Sequence, residues 1–510
     1  MTTPPSTNRA LASSSIMVLG GMILRQVGLI VAFSILSRRL TQGTYGQFQR
    51  VWMIGLAVST VLAMGLPLSM QFFLPQIASI RQRRRSFLQS LMLLQLCGLV
   101  AGGIMYQFAN PISYIFCGDH SVAPLLRSYW PVVVFLGFWS RVPAVFNSIE
   151  RPRLAGVMAM LYGVIVAGTL GGSAFFTLEL EYLFAIQATA LGVGWLGAAA
   201  IGLWCISDCP EAALRHTGPD DNGHWDQGVS VRRQMLYALP LLGSTLVGTM
   251  SILVDKMLVS NRFDSEDFAL YANGAFEVPI GTLLVAAVFG VLMPKMAREL
   301  GNDNVKEAVR LNRMAVQNIS IIVYPSAVFL AVFSREVMVS LFGPTYATSG
   351  WVFMVYALAM LSVLYNPLGL ISITGKTRLN LYLSLAALGM NIALSWLGIV
   401  LFGMIGACLG CCTYRFTINL LFARVAAGAM GTTFGRLLPW RDLGRTLLVC
   451  LIPAAASAPV MLLPIPSPAR LLLGAAVFGA TYMFAGTKAG LLNAAHAEIL
   501  LSMTRRLWKR

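Results

Sequence analysis

The sequence predicts an all-α polytopic membrane protein of about fourteen transmembrane helices, on three observations. Of its 510 residues, 57% are hydrophobic and only 11% are charged, with a mean hydropathy of +0.72. A soluble chain of this length has no way to hide so much apolar surface. Apolar runs of about twenty residues recur along the whole length, each sufficient to cross a bilayer as a helix. Basic residues gather in every second loop between these runs, as they do on the cytoplasmic side of membrane proteins.

The spans fall at 12–37, 48–74, 87–109, 128–148, 154–176, 183–205, 235–260, 268–293, 315–340, 351–372, 379–401, 404–425, 446–463 and 469–486. The first follows a polar start, MTTPPSTNRALASSS. It is too long for a signal-peptide core and lacks a small-residue cleavage site, so it reads as a retained span. With the N-terminus in the cytoplasm, the inner loops receive RQRRR (81–85), ERPR (150–153), VRR (231–233), KMARELGNDNVKEAVRLNR (295–313), GKTR (375–378), the loop of Arg436, Arg441 and Arg445, and the tail TRRLWKR. The outer loops receive acidic pieces such as LELEY (178–182) and FDSED (263–267), with few basic residues. The net charge of +17 is therefore a topology signal, and nucleic acid is excluded as a partner. Both termini are expected in the cytoplasm of a bacterial inner membrane.

Six of the eight cysteines, Cys97, Cys205, Cys408, Cys411, Cys412 and Cys450, fall in or beside apolar runs. They read as small packing residues, because a disulfide framework would place them in exported loops. His120, His216, His224 and His496 lack metal-ligand spacing. No metal and no cofactor is expected.

The longest interruption, 207–234, is polar and rich in Asp, Gly and His. It reads as a cytoplasmic linker between an N-terminal lobe (1–206, spans 1–6) and a C-terminal lobe (235–427, spans 7–12), followed by spans 13–14 and a tail (428–510). The halves look related. The Arg-Leu of Ser148-Ile-Glu-Arg-Pro-Arg-Leu154 and that of Ser372-Ile-Thr-Gly-Lys-Thr-Arg-Leu379 lie 225 positions apart, and Tyr45 and Tyr271 lie 226 apart. A duplicated six-span unit keeps both copies in the same orientation.

Within this oily background several charges persist: Arg25 in span 1, Arg141 in span 4, Asp255 and Lys256 in span 7, Glu277 in span 8 and Arg415 in span 12. Each costs roughly 2.5–3.5 kcal/mol at a bilayer centre. At helical spacing, each shares its stripe with small or polar residues: Gly21 and Gly28 with Arg25, Gly137 and Ala144 with Arg141, Asn419 with Arg415, Gly248 and Ser251 with Asp255, Asn273 and Gly281 with Glu277. Such faces point into protein or a wet cavity, not into lipid. Internal ion pairing accounts for part of this set, but four cations stand against two carboxylates. The surplus predicts an anionic ligand held by Arg25, Arg141, Lys256 and Arg415, since guanidinium forks suit phosphate and carboxylate. Asp255 and Glu277 are candidates for coupling to H+ or Na+.

GLISITGKT (369–377) has one residue too many for a phosphate-cradling loop and follows no strand. Gly406 and Gly410 suit a close-packing helix face. No catalytic motif stands in an outer loop, so no enzyme is expected.

Three stretches carry a resemblance. ILSRRLTQGTYGQFQ (35–49), VDKMLVSNRFDSEDFALYANGAFEVP (254–279) and NPLGLISITGKTRLNLYLSLAALGMNIALSWLGIVLFGMIGACLG (366–410) resemble the polysaccharide and oligosaccharide-lipid flippases, the polysaccharide transporter branch of the multidrug, oligosaccharidyl-lipid and polysaccharide exporter superfamily. The resemblance implies two six-helix lobes forming a V around a central cationic cavity, plus two C-terminal helices. It implies alternating access that carries a polyprenyl-pyrophosphate-linked glycan from the inner to the outer leaflet, in the company of other glycan-assembly proteins. In the related lipid II flippases an acid follows the first-span arginine, whereas here the pair is Arg25-Gln26, which argues against the peptidoglycan branch. The alternatives are drug or organic cation efflux by the same fold and a membrane enzyme of glycan assembly. On the enzyme reading, the outer-loop residues Asp119, His120 and Glu336 would be essential; on the flippase reading they matter little.

Overall fold

The structure, a computed structural model, describes residues 5–62, 65–77, 79–172, 174–176, 179–207 and 230–491. Most of the expected linker and the C-terminal tail lie outside the described residues. The described residues form helices and no strand. In chain order these are α1 (Pro5–Arg39), α2 (Gln42–Leu62), α3 (Leu66–Phe73), α4 (Ile80–Gln107), α5 (Ala109–Cys117), α6 (Ala123–Ser140), α7 (Val142–Asn147), α8 (Pro152–Val166), α9 (Leu180–Ser207), α10 (Val231–Arg262), α11 (Ser265–Gly274), α12 (Ile280–Gly301), α13 (Val305–Val332), α14 (Ser334–Phe342), α15 (Ser349–Ala359), α16 (Pro367–Ser372), α17 (Thr377–Ala429), α18 (Phe434–Leu437), α19 (Trp440–Ser457) and α20 (Ser467–Lys488). Among the described residues, ten helical stretches are long and apolar enough to cross a membrane.

Several expected spans are broken, and proline or glycine marks most breaks. Span 2 divides at Gly65, in the left-handed conformation, before Pro67. Span 4 divides at Arg141, which leaves helical geometry (φ −117, ψ 10) ahead of Pro143. Proline has no N–H to donate, and its ring clashes with the carbonyl four residues earlier. Span 8 is two helices separated by non-helical residues 276–278 and Pro279. The loop expected at 295–313 is almost wholly helical, because α12 runs on to Gly301 and α13 starts at Val305. Spans 11 and 12 fold back at Gly403 (φ 61, ψ −142), a backbone conformation a side chain would resist. A Cβ on Gly410 would lie 2.8 Å from Ser395 Cα, so the small face of span 12 is pressed against span 11.

The duplication is plainer in the helices than in the residues. Displaced by 225 (305 − 80), α4 becomes α13, α5 becomes α14, α7 becomes α16 and the start of α8 becomes the start of α17, bound for bound. Gly118 and Gly343, which end α5 and α14 with positive φ, share the offset. One pattern of span, short helix and broken span is used twice on different side chains.

By packing, the chain divides into two compact units, 1–269 and 270–510. In the first unit, α1 lies along α8, α6 contacts α4, α9 and α2, and α10 contacts α2, α3 and α5. Its core is aromatic: Trp139, Tyr129, Phe48, Phe146 and Phe184 are fully buried, and Trp139 Nε1 donates to Leu191 O at 3.0 Å. Packing thus places α10, the expected seventh span, with the first unit, although by the repeat it matches α1. In the second unit, α13 contacts α12, α15 and α19, and α20 contacts α19 and α14. The last two expected spans belong to this core, where Tyr482 Oη donates to Ile321 O at 2.8 Å. The seven described cysteines are all buried, and none forms a disulfide among the described residues.

The parallel contact of α1 and α8 rests on glycine pairs seven residues apart, Gly21 against Gly156 and Gly28 against Gly163. A Cβ on Gly163 would lie 2.7 Å from Arg25 Cα. We expect Gly163→Leu to destabilise the protein by about 1–3 kcal/mol or more through overpacking. Gly168→Ala, where nothing lies within 4 Å, should be nearly silent. Thermal denaturation in detergent compares the two.

Candidate functional site

Arg25 reaches the backbone next to Arg141 in the first unit. α1 and α8 touch at Gly28 and Gly163, and Arg25 sits on α1 at this contact. It is half-buried, and its Nη1 donates to Ser140 O at 3.4 Å. Ser140 is the last residue of α6, and Arg141 follows it at the break in span 4. The break frees the carbonyl that Arg25 uses, and Arg141 itself is half-buried at that break. The buried Nε of Arg25 has no hydrogen-bond partner among the described residues. No described carboxylate lies within 4.0 Å of either arginine. One weak carbonyl bond does little for a charge that prefers several strong acceptors.

Arg415 is placed differently. It forms a close ion pair with Glu277, with Arg415 18% and Glu277 36% exposed. Its guanidinium also lies over the Tyr356 ring, 5.6 Å from the centroid. Glu277 stands in the non-helical stretch between α11 and α12, where the backbone is free of the helical ladder. The charge balance drawn from the sequence is thus settled locally for this arginine. Asn419 Nδ2 donates to Arg415 O at 2.9 Å and to Ser362 Oγ at 3.3 Å. Asn419 and Ser362 also line a cavity of about 130 Å³ with Tyr324, Tyr365 and Trp440. Asp255 is fully buried on α10, and its neighbour Lys256 is half-buried.

Sequence reasoning missed the most deeply buried cation. Arg50, on α2, is 1% exposed. It donates to Ser260 O at 3.1 Å and Phe263 O at 2.6 Å, and approaches Asp119 at 4.0 Å. It therefore caps the last carbonyls of α10, where a cation also meets the negative end of the helix dipole. At the other end of α10, buried Gln234 donates to Ser90 Oγ at 2.7 Å and Ser69 Oγ at 3.3 Å. Arg83 is 2% exposed and pairs with Glu150 at 3.0 Å. Both arginines sit near span ends, where the sequence pattern suggests snorkelling. Only tertiary packing shows otherwise.

Glu336 is a correction. It is not an outer-loop residue but is 1% exposed, 4.0 Å from Arg335 and 3.9 Å from Arg470. Its loss would disturb the α14–α20 contact whatever the protein does, so it does not discriminate between an enzyme and a transporter. Asp119 and His120 are exposed. Burial alone would raise the Asp119 carboxyl, but bonds from Ser121 and the charges of Arg50 and His120 outweigh it and hold the group below its usual range. Its contribution is complete above about pH 4 and is lost as pH falls through the lowered value.

Residues 10–299 match the family model described as polysaccharide biosynthesis protein. The chain is 25% identical over 190 residues to the capsular polysaccharide biosynthesis protein CapF of Staphylococcus aureus, covering 36% of this chain and 48% of that one. It is 20% identical over 213 residues to a probable lipid II flippase MurJ of Rhizobium tropici, covering 41% and 38%. The matches thus span about half or less of these relatives. Among solved structures, the fold is similar to lipid II flippase MurJ in an inward closed conformation, with TM-score 0.61, 13% identity, and coverage of 91% of this chain and 98% of that one. It is also similar to an inward-facing multidrug resistance MATE family transporter, with TM-score 0.57, 13% identity, and coverage of 82% and 98%.

Two predictions follow from the geometry. Arg415→Gln should destabilise by about 2–3 kcal/mol, below the 3–5 kcal/mol of a fully buried pair because Glu277 is a third exposed, and the Arg415→Gln/Glu277→Gln double variant should recover part of that loss. A double-mutant cycle on thermal stability reads this directly. Asp119→Asn should flatten the acid side of the stability-versus-pH profile below about pH 4; an unchanged profile would show that Arg50 does not depend on that carboxylate.

Proposed function

Because the chain belongs to the polysaccharide biosynthesis protein family, we propose that it is a flippase. Its cargo is a polyprenyl-pyrophosphate-linked oligosaccharide or related glycan, moved from the inner to the outer leaflet by alternating access. The observation that carries this reading is the pair Arg25 and Arg141: one guanidinium bonded to the carbonyl at a helix break and a second arginine on the break itself, with no described carboxylate within 4.0 Å of either. A pyrophosphate supplies the oxygens such forks bind in pairs, so the anion completes a site that the protein's own groups leave short of acceptors. Lys256 adds positive charge on α10.

On this reading the Arg415–Glu277 pair is the adjustable element. Protonating Glu277, or binding Na+ there, releases Arg415 to an anionic cargo. Filling and emptying the pair then links cargo to an ion gradient, with Asp255 as the second candidate for the coupling ion. The fourteen spans form two six-helix repeats and a C-terminal pair, with both termini in the cytoplasm of a bacterial inner membrane. The protein makes and breaks no covalent bond and works beside the enzymes that assemble its cargo.

Fold likeness to multidrug transporters brings up cation efflux. Two unneutralised guanidiniums repel a cationic drug, and binding of cationic dyes that survives Arg25→Gln would favour that alternative. The decisive assay reconstitutes the protein in liposomes with a labelled polyprenyl-pyrophosphate sugar and follows access of an impermeant reagent to the label. Arg25→Gln and Arg141→Gln should each slow the appearance of label by about tenfold or more, from the loss of charged hydrogen bonds of about 1.5–3 kcal/mol. Rates unchanged by both would remove the site from the mechanism.

A further inference from the structure

We propose that the cavity beside Asn419 is a binding site for a small neutral aromatic alcohol, separate from the cargo site. Four segments of the second unit enclose it. Tyr324 comes from α13, Ser362 and Tyr365 from the stretch after α15, Asn419 from the second half of α17, and Trp440 from the start of α19. The floor is buried and the rim is open: Tyr324 is 7% and Tyr365 8% exposed, against 38% for Phe416 and 45% for Leu420. Most hydrogen-bonding groups here are used within the protein. Tyr365 Oη donates to Asn419 O. Ser362 Oγ donates to Ala359 O at 2.8 Å and accepts from Asn419 Nδ2 at 3.3 Å. Two groups are left over. Among the described residues, Tyr324 Oη donates to no acceptor and Asn419 Oδ1 accepts from no donor. The Tyr129 hydroxyl is sealed within packed side chains, whereas that of Tyr324 keeps accessible surface at the cavity.

One spare donor and one spare acceptor match a single hydroxyl, which gives one O–H and accepts on its lone pairs. Left unmet beside apolar walls, both groups carry a desolvation cost. The rings of Tyr324, Tyr365, Phe416 and Trp440 offer faces and edges to an aromatic body. The volume of about 130 Å³ is near that of an apolar cavity of about 150 Å³ that holds benzene, so the occupant has one ring. No charged side chain is among the described residues of the lining, which leaves a pyrophosphate without a cationic partner. Aromatic walls also attract organic cations, but here no carboxylate lines the cavity and the Arg415 guanidinium is carried one turn from Asn419. A neutral molecule that dissolves in the bilayer reaches the rim at Phe416 and Leu420. Once bound, its hydroxyl ties α13 to span 12, one turn from the Arg415–Glu277 pair.

The experiment titrates the full chain in detergent with para-bromophenol, whose bromine quenches indole fluorescence. A parallel titration uses para-bromotoluene, which has nearly the same shape and no hydroxyl. The Trp440 fluorescence is taken as the difference between the wild type and Trp440→Phe, since the chain has ten tryptophans. Quenching by para-bromophenol should saturate, with a midpoint about tenfold below that of para-bromotoluene, from two added hydrogen bonds. Tyr324→Phe should reduce this preference by about threefold or more. Its unchanged binding of para-bromotoluene would show that the cavity is intact. Quenching that rises linearly with either probe, as for partition into detergent around a water-filled cavity, would overturn the proposal. Equal midpoints for the two probes, or a preference untouched in Tyr324→Phe, would do the same. So would displacement of para-bromophenol by tetramethylammonium, which would make the cavity a cation cage, or by farnesyl pyrophosphate, which would give it to the cargo. None of these outcomes depends on whether the protein flips a glycan.

Discussion

A guanidinium inside a membrane needs oxygen atoms around it, and the arrangement of this protein turns on how each arginine finds them. Arg50 takes the spent carbonyls at the end of α10. Arg83 takes Glu150, and Arg415 takes Glu277. Arg25 has one long bond to a carbonyl freed by a helix break and no described carboxylate within 4.0 Å; its unbonded Nε it shares with Arg50, Arg83 and Arg415. In a medium where desolvating an ion costs several kcal/mol, that contrast separates arginines paired within the fold from the pair for which we propose an anion from outside.

The fold supplies the contrast by simple means. Glycines on α1 and α8 let two backbones touch, which pins the helix that carries Arg25. Pro143 stops α6 short, so Arg141 and the Ser140 carbonyl fall outside the regular ladder. In the second half the same break, 225 residues on, carries Asn366, whose side chain accepts from Gly369 N at 3.0 Å. One scaffold therefore holds a cation at the break in one copy and a self-satisfied cap in the other. Duplication followed by divergence of single side chains gives two halves of similar shape and different chemistry.

Much of this was legible in the sequence. Apolar runs located the helices, because a bilayer demands length and hydropathy of each. Stripes of small residues marked the Gly21 and Gly28 side of α1, and Gly406 and Gly410, as packing faces. What was not legible has a common cause: it depends on contacts distant along the chain. Arg50 and Arg83 look like ordinary span-end arginines until α10 and Glu150 are in place. Glu336 looks like a loop acid until α20 brings Arg470 beside it. The sequence showed two carboxylates among four cations but not which would pair, and Arg415 meets Glu277 138 positions away. The helix breaks were signalled by proline, but a proline alone does not distinguish a kink from an interruption.

The central claim is that Arg25 and Arg141 await an anion from outside the chain. Calorimetric titration of the purified protein with farnesyl pyrophosphate, a short analogue of the proposed cargo lipid, tests it most directly, repeated at raised salt and on Arg25→Gln/Arg141→Gln. The account predicts saturable binding that weakens with salt and disappears in the double variant while Arg415→Gln/Glu277→Gln still binds. Undiminished binding in the variant lacking both first-unit arginines would contradict it.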